Sequence, residues 1–263
     1  MDKYGLLGEK LGHSFSPKIH NKIFEYTDIS GEYFLFPTKI EDLPQLIEKV
    51  RKGEIKGLSV TIPYKLEVMK YLDRISEEAE NIQAVNTICM TDGKLTGYNT
   101  DCLGFEKTLS VNNIIAENKN IAVLGTGGAS KAIVYVFEKL NAKNVHLFSR
   151  TPERNQKSYS ELNERHDYDI IVNTTPVGMY PDVDKSPIRK ECIGNAEAVV
   201  DAIYNPALTR LLSYAKDMGK IYVNGMYMLA AQAVKAQEIF NQLKIDDSIS
   251  KKIYEDIIGE LDE

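Results

Sequence analysis

Apolar residues in the first hundred positions alternate between a strand-like pattern and a helix-like pattern. Apolar runs of four or five residues predict strands at 4–7, 33–36 and 58–62. Apolar residues spaced three or four apart predict helices at 18–26, 43–50 and 66–72. Because strands and helices alternate along the chain, we expect a largely parallel sheet with helices on its faces.

Residues 86–99 predict a β-hairpin, because two strand-like runs flank the turn Thr91-Asp92-Gly93-Lys94. A second α/β series begins near position 120, after a polar, weakly periodic stretch that indicates a domain boundary within 101–119. The pattern therefore predicts an α/β protein of two domains. The strands predicted in the second series are 121–124, 145–148, 169–172, 198–203 and 220–223, and the helices are 131–140, 228–243 and 248–261.

Composition and charge narrow the classes of function. A chain of 263 residues can bury two cores, and 43% hydrophobic with 27% charged residues is typical of a soluble globular protein. The net charge of −6 disfavours nucleic acid as a partner, since nucleic-acid binding needs a basic surface. No apolar run approaches the roughly 18 residues that span a bilayer, and the first residues lack a signal-peptide pattern. We expect no membrane partner and a cytoplasmic location.

The cysteines and histidines give no sign of a metal site. Three cysteines are widely spaced and form no CxxC pair, and four histidines form no HExxH motif. We therefore expect neither a disulfide framework nor a structural or catalytic metal.

A glycine-rich turn follows the predicted strand 121–124 and opens the next helix. Such a turn lets the backbone approach a pyrophosphate, and the helix N-terminus presents free N–H groups to it. Ser130 takes the place of the third glycine of the dinucleotide fingerprint and is small enough to pack against the sheet. The segment predicts a dinucleotide site formed by Gly125, Thr126, Gly127, Gly128 and Ala129.

The end of the next strand favours NADP over NAD. NAD-binding units place an acidic residue there to hold the ribose hydroxyls, and its charge would repel a 2′-phosphate. This chain has Ser149, Arg150 and Thr151 there, with Arg154 nearby. A guanidinium group can bind a phosphate with two parallel hydrogen bonds.

Polar residues gather at predicted element ends in the first half of the chain. Ser14 and Ser16 precede a helix, and Thr61 and Lys65 flank the strand-ending Pro63. Asn86-Thr87 begins one arm of the hairpin, and Asn99-Thr100-Asp101 ends the other. Each residue alone is typical of a turn or a helix start. Because ligands bind where the strands of α/β sheets end, the set together predicts a ligand site.

The chain resembles the shikimate dehydrogenase family over nearly its whole length. The resemblance implies an N-terminal substrate domain at 1–101, an NADP-binding Rossmann-like domain at 102–225, and a C-terminal helical segment, 226–263, that returns to the substrate domain. It rests on the order and spacing of HSFSPKIHN, GLSVTIPYK, AVNT, GYNTD, GTGGAS, SRTPER, NTTPVGM, DAIYNPALT and GMYMLAAQA.

The resemblance also implies roles for single residues. Lys65 and Asp101 would form the catalytic pair, and Tyr204 would close over the substrate. Ser14 and Ser16 would bind the substrate carboxylate. The ring hydroxyls would be held by Thr61, Asn86, Asp101 and Gln232. NADP would be held at its pyrophosphate by Gly125 to Ala129, at its 2′-phosphate by Ser149, Arg150, Thr151 and Arg154, and at its nicotinamide by the backbones of Ala202 and Gly225.

The implied reaction is the reversible NADPH-dependent reduction of 3-dehydroshikimate to shikimate, a step of aromatic amino acid biosynthesis. Reduction of a ketone develops negative charge on its oxygen. An ammonium group beside that oxygen stabilises the charge and supplies a proton. Lys65 fits that role, with Asp101 orienting it.

The chain departs from the family pattern at four places. Ser59 stands where Asn is more frequent, Gln83 replaces a common Gly, and Ser149 replaces an Asn. Between Arg150 and Asp169 the chain is too short for a full-length helix and strand. We therefore expect a reduced edge on the cofactor domain.

Two alternatives remain open from the sequence. A quinate or quinate/shikimate dehydrogenase would share most motifs, but such enzymes often have threonine at the first serine of HSxS, where this chain has Ser14. A non-catalytic NADP-sensing protein could keep the glycine-rich turn and lose Lys65 or Asp101, and both are present here. The sequence is compatible with a monomer and with a homodimer.

Overall fold

A computed structural model describes residues 1–12, 14–164 and 167–261, so His13 and His166 lie outside the described residues. The chain divides into two compact units. The first contains Met1–Gly104 and Leu229–Glu263, and the second contains Phe105–Met228. The division does not show which unit binds the substrate and which binds the cofactor, so that assignment stays a prediction.

The strands belong to two sheets, one in each unit. We number them along the chain: β1 (Asp2–Gly8), β2 (Gly31–Pro37), β3 (Gly57–Val60), β4 (Arg74–Ile75), β5 (Thr87–Thr91), β6 (Lys94–Tyr98), β7 (Asn120–Leu124), β8 (Asn144–Ser149), β9 (Lys157–Ser158), β10 (Ile170–Asn173), β11 (Ala198–Asp201) and β12 (Ile221–Val223).

The helices flank the sheets and connect the strands. They are α1 (Ser16–Tyr26), α2 (Leu43–Arg51), α3 (Glu77–Ile82), α4 (Asp101–Val111), α5 (Gly128–Lys139), α6 (Tyr159–Glu164), α7 (Arg210–Asp217), α8 (Met226–Asn241) and α9 (Ser248–Leu261). Both boundaries between the units fall inside helices, namely α4 and α8. Within the part of the chain that the structure describes, no helix is long and apolar enough to cross a membrane.

The first sheet has the order β2-β1-β3-β5-β6-β4 and is mixed. Strand β1 pairs in parallel with β2 and β3, whereas β5 runs antiparallel to both β3 and β6. The register pairs Leu7 with Val60, Ser59 with Thr87, and Thr87 with Tyr98. The carboxyl ends of β1, β3 and β6 and the start of β5 therefore meet at one edge.

Helices cover both faces of this sheet. On one face, α2 packs on β1, β3 and β5 through a buried cluster that includes Leu46, Val50, Leu58 and Ile88. On the other face, Phe240 of α8 packs so closely on β3 that a Cβ added to Gly57 would lie 2.2 Å from its ring. The core of the first unit thus fixes where the strand ends emerge.

The second sheet has the order β12-β11-β10-β7-β8-β9, and all its pairs are parallel. Its central strands are buried, as sheets with helices on both faces require. The chain runs outward from β7 to β9 and then returns to β10. The sheet therefore has a switch point between β7 and β10, where such sheets bind ligands.

The predicted α/β class with mainly parallel sheets is confirmed, but several elements were predicted wrongly or were missed. The helix expected at 66–72 is a short 3-10 helix, Glu67–Tyr71. Helices α4 and α7 were missed, and α4 occupies part of the stretch interpreted as a boundary. The apolar residues of DCLGFEKTLSV do not form one clear stripe, so periodicity gave little signal for α4.

The expected reduced edge is present as the two-residue strand β9 and the six-residue helix α6. The substitution at Gln83 also has a structural consequence. Gln83 ends α3 with φ of 56°, a left-handed conformation that glycine adopts without steric cost.

His20 links the two helices on which substrate-binding residues were predicted. It is fully buried on α1 and hydrogen bonds through Nδ1 to Nε2 of Gln237 on α8, at 2.9 Å. Its ring stacks on Tyr33 with the centroids 3.7 Å apart. Burial lowers the pKa of His20 to about 3. The neutral imidazole is therefore part of the packing between α1 and α8.

We predict that His20 makes the protein sensitive to acid. Because its pKa rises to about 6.5 on unfolding, the unfolded chain binds one more proton at His20, and stability falls as pH drops from about 6.5 towards 3. His20→Phe keeps an aromatic ring but loses the bond to Gln237, so it should lower the free energy of unfolding by about 1–3 kcal/mol at neutral pH. Urea unfolding from pH 4 to 7 should show a shallower pH dependence for the variant. Equal slopes in the two proteins would contradict the assignment.

Candidate active site

The turn after β3 holds Lys65 in a fixed position at the edge of the first sheet. The amide of Tyr64 donates to the Thr61 carbonyl at 3.0 Å, which closes the turn. The Tyr64 ring is buried in the core, and its hydroxyl donates to the Thr38 carbonyl at 2.6 Å. The Val85 amide donates to the Lys65 carbonyl at 2.8 Å. The backbone of Lys65 is therefore anchored, and its side chain extends from a fixed point.

The Lys65 ammonium forms an ion pair with Asp101, with 2.6 Å between Nζ and Oδ2. The two side chains are only 14% and 10% exposed. Asp101 is the first residue of α4, where the helix N-terminus favours a negative charge. The Asn99 side-chain oxygen accepts from the Asp101 amide at 3.1 Å and so helps to hold this helix start.

Asn86 binds the second oxygen of the same carboxylate. Its Nδ2 donates to Asp101 Oδ1 at 2.8 Å, and its Oδ1 accepts from the Thr100 amide at 2.7 Å. Asp101 therefore receives a cationic donor on one oxygen and a neutral donor on the other. The two bonds together fix the plane of the carboxylate.

Thr100 joins Gln232 of α8 to this cluster. The Thr100 hydroxyl lies 3.3 Å from Oε1 of Gln232, and Gln232 Nε2 donates to the Leu229 carbonyl at 2.9 Å. Sequence reasoning placed Asn86, Asp101 and Gln232 in the site and counted Asn99 and Thr100 among the polar residues at element ends, without giving these two an individual role. Asn-Thr-Asp directly before a helix is typical of an N-terminal cap, and that signal could have identified both residues.

Ser14, Ser16 and Thr61 also lie where strands of the first sheet end. Ser14 and Ser16 lie at the start of α1, which follows β1, and the Ser16 amide donates to Ser14 Oγ at 3.2 Å. Thr61 follows β3, and its amide donates to the carbonyl of Leu7 on β1 at 2.9 Å. All the predicted substrate residues except Tyr204 therefore belong to the first unit.

The Ser59 hydroxyl is buried in the first sheet, close to the site. It lies beside the Tyr33 hydroxyl, but neither group has a hydrogen-bond partner of good geometry among the described residues. Buried hydroxyl groups are normally hydrogen bonded. Ser59 therefore keeps unused hydrogen-bonding capacity two residues before Thr61.

The glycine-rich turn in the second unit has the geometry of a phosphate cradle. Gly125 has φ of +105°, and a Cβ there would lie 2.7 Å from the Thr174 hydroxyl, so only glycine fits. Among the described residues, no atom lies within 4 Å of a Cβ built on Gly127, which is the N-cap of α5. The buried Ser130 hydroxyl donates to the Gly127 carbonyl at 2.6 Å. The start of α5 is therefore open to an anion.

Ser149 and Arg150 stand at the end of β8, where NAD-binding units place an acidic residue. The Thr151 amide donates to Ser149 Oγ at 3.2 Å, and Arg150 is exposed. Arg154 adopts a left-handed conformation with φ of 46°. Neither guanidinium forms a hydrogen bond or an ion pair with any residue that the structure describes, so both can bind an external anion. These groups and the glycine-rich turn fit a phosphorylated dinucleotide.

The turns after β11 and β12 contact each other through their backbones. A Cβ on Gly225 would lie 2.1 Å from the Ala202 carbonyl oxygen, and the Gly225 amide donates to the Ile203 carbonyl at 3.0 Å. The half-buried Tyr204 follows directly. Ala202, Tyr204 and Gly225 thus lie at the same edge of the second sheet as the glycine-rich turn.

The burial and grouping of the cysteines and acidic side chains that the structure describes bear on whether they could bind a metal ion. Cys89, Cys102 and Cys192 are buried and not in disulfides, and burial raises the pKa of the Cys89 thiol. Within the described ranges, no group of three or more His, Cys, Asp or Glu residues is arranged to hold a metal ion.

Known proteins similar to this chain share its whole length and fold. The family described as the shikimate dehydrogenase substrate binding domain matches residues 6–88. A shikimate dehydrogenase (NADP(+)) of Clostridium beijerinckii is 44% identical over 97% of both chains.

Two solved structures are similar in both sequence and shape. One is a chorismate mutase/shikimate 5-dehydrogenase fusion protein of Clostridium acetobutylicum, 41% identical with a TM-score of 0.96, covering 100% of this chain and 99% of that one. The other is the shikimate 5-dehydrogenase of Thermus thermophilus in complex with NADP(H) and shikimate. It is 32% identical with a TM-score of 0.88, over 97% of this chain and 99% of that one. The chain belongs to the shikimate dehydrogenase family.

Proposed function

We propose that this protein is an enzyme that reduces 3-dehydroshikimate to shikimate with NADPH, reversibly, as a step of aromatic amino acid biosynthesis in the cytoplasm. The observation that carries the proposal is the Lys65–Asp101 pair, 2.6 Å apart and nearly buried where the strands of the first sheet end. The family, and the NADP(+)-dependent relatives, support the same reaction.

Lys65 carries the proton chemistry. NADPH, when bound, supplies the hydride for the substrate ketone. The Lys65 ammonium stabilises the negative charge that develops on the ketone oxygen and donates a proton to it. Asp101 holds Nζ in one orientation and receives a second bond from Asn86, which keeps the carboxylate in place while Lys65 reacts. In the reverse direction Lys65 takes the proton back.

The remaining polar groups at this edge orient the substrate. Ser14 and Ser16, at the start of α1, bind its carboxylate with their hydroxyls and the helix N-terminus. The family resemblance also assigns Tyr204, in the turn after β11, to substrate binding. The residues that bind the ring hydroxyls are Thr61, Asn86, Asp101 and Gln232.

NADP is bound by the second unit. The open N-terminus of α5 and the glycine-rich turn, Gly125 to Ala129, hold the pyrophosphate. Ser149, Arg150, Thr151 and Arg154 hold the adenosine 2′-phosphate, and the backbones of Ala202 and Gly225 line the nicotinamide pocket. The absence of an acidic residue at the end of β8 favours NADP over NAD.

A spectrophotometric assay tests the proposed reaction. Shikimate and NADP⁺ mixed with the protein should produce the absorbance of reduced nicotinamide, and quinate with NAD⁺ should produce little. Both serines of the carboxylate site are present, which favours shikimate over quinate. Strong turnover of quinate with NAD⁺, or no turnover of shikimate, would contradict the proposal.

We predict that Lys65→Ala lowers kcat by roughly a hundredfold to ten-thousandfold, because it removes the proton donor. The Kd for shikimate should change far less, since most substrate contacts remain. Lys65→Arg should also be slow, because a guanidinium keeps the charge but does not release its proton. Lys70→Ala is the matched control, since Lys70 is exposed and its ion pair is with the nearby Glu67. Near-normal turnover by Lys65→Ala would refute the assignment.

We predict that the double variant Arg150→Ala/Arg154→Ala raises the KM for NADP⁺ roughly tenfold to a hundredfold, because it removes donors to the 2′-phosphate. The KM for NAD⁺, which has no 2′-phosphate, should stay within about twofold. Arg210→Ala is the control, because this exposed arginine of α7 contacts Tyr214 instead. An equal rise in the KM for both cofactors would show that the two arginines do not bind the 2′-phosphate.

A further inference from the structure

Asp201 is a buried carboxyl group that the proposed chemistry does not use. It ends β11, is inaccessible to solvent, and forms no ion pair with the residues that the structure describes. Burial raises its pKa to about 6. Burying a carboxyl group is costly unless hydrogen bonds compensate, so its partners reveal what it holds.

Asp201 accepts three hydrogen bonds from three different segments. Oδ1 accepts from Asn173 Nδ2 at 2.9 Å and from the Ile203 amide at 3.0 Å. Oδ2 accepts from the Thr209 hydroxyl at 2.7 Å. All three partners are donors, which suits the ionised carboxylate. A single side chain thus joins the end of β10, the turn after β11 and the start of α7.

The loop that carries Tyr204 begins and ends on this carboxylate. Ile203 is bound at its start and Thr209 at its end, and Thr209 also caps α7 by accepting from the Leu212 amide at 3.3 Å. The loop turn is fixed further by the Gly225 amide, which donates to the Ile203 carbonyl. The backbone that lines the proposed nicotinamide pocket therefore depends on Asp201.

The contact to Asn173 extends this support to the glycine-rich turn. Asn173 Oδ1 accepts from the amide and the hydroxyl of Thr175, at 3.0 and 2.7 Å. The neighbouring Thr174 hydroxyl donates to the Leu124 carbonyl at 2.7 Å and lies against Gly125. Asp201 is thus connected, through packed groups, to both sides of the switch point in the second sheet.

We propose that Asp201 is a positioning residue for the nicotinamide half of the cofactor: it holds the 202–209 loop and the Ala202–Gly225 contact in the conformation that binds nicotinamide, without touching the cofactor itself. This inference rests on the proposed function. The two halves of the cofactor then depend on different residues. The adenine half depends on the end of β8, whereas the nicotinamide half depends on the buried carboxylate.

Calorimetric titration of each variant with two probes tests the inference. NADP⁺ carries both halves, and adenosine 2′,5′-bisphosphate carries only the adenine half. Asp201→Ala should weaken NADP⁺ binding roughly tenfold or more, because three donors lose their acceptor, while binding of the bisphosphate changes less than about twofold. Asp201→Asn keeps an oxygen for Ile203 and Asn173, so it should restore most of the NADP⁺ affinity.

A second variant covers the case in which Asp201→Ala does not fold. Thr209→Val releases one end of the loop and should weaken NADP⁺ binding more than binding of the bisphosphate. It also removes a helix cap, so the matched control is Ser76→Ala, which removes the corresponding cap of α3. Ser76→Ala should lose similar stability and leave NADP⁺ binding unchanged.

The outcomes separate this inference from the proposed function. Equal weakening of both probes by the Asp201 and Thr209 variants, or no weakening, would overturn the positioning role while wild-type binding of NADP⁺ stands. Failure of the wild-type protein to bind NADP⁺ would overturn the proposed function and this inference with it.

Discussion

The ion pair between Lys65 and Asp101 is the interaction that joins the elements of the candidate site in the first unit. Its partners come from different elements, the turn after β3 and the start of α4, and Asn86 from the hairpin binds the same carboxylate. Because the pair is nearly buried, its attraction is weakened less by solvent than that of a surface pair. Removing either partner would leave an uncompensated charge in a partly buried site. The pair therefore requires strand, hairpin and helix to meet at one edge.

Both sheets place their functional groups by the same geometric rule, but with different chemistry. In the first unit, side chains at the strand ends form the proposed substrate site. Hydrogen bonds to neighbouring turns hold these side chains in place. In the second unit, the backbone forms most of the proposed cofactor site. Gly125 and Gly225 lie where a Cβ atom would clash with neighbouring residues. Because backbone groups form this site, side chains from neighbouring positions have to hold the backbone in its orientation. The buried Asp201 carboxylate and the threonines it supports supply that orientation.

The sequence predicted the features that local patterns encode. The strands of both sheets other than the two-residue β4 and β9, the hairpin and the glycine-rich turn followed from periodicity and turn residues, because burial on one or two faces leaves a direct mark on residue order. Helix α4 was missed because its apolar residues do not form one stripe, and the polar stretch after it was extended back over it. Thr100 and Asn99 were expected near the site, but their individual roles could not be predicted, since those roles depend on α4 beginning at Asp101. The role of Asp201 depends on its burial and on its contact with Asn173 of a different strand, and no local pattern reveals either.

The most direct test of the Lys65–Asp101 pair is a double-mutant cycle in kcat with Lys65→Met, Asp101→Asn and the double variant. Asn at position 101 can keep the bond from Asn86, so the cycle isolates the charge that faces Lys65. If the two side chains act as one catalytic unit, the double variant should be no slower than the slower single variant, within about threefold. Losses that multiply in the double variant would show independent action and contradict the pairing.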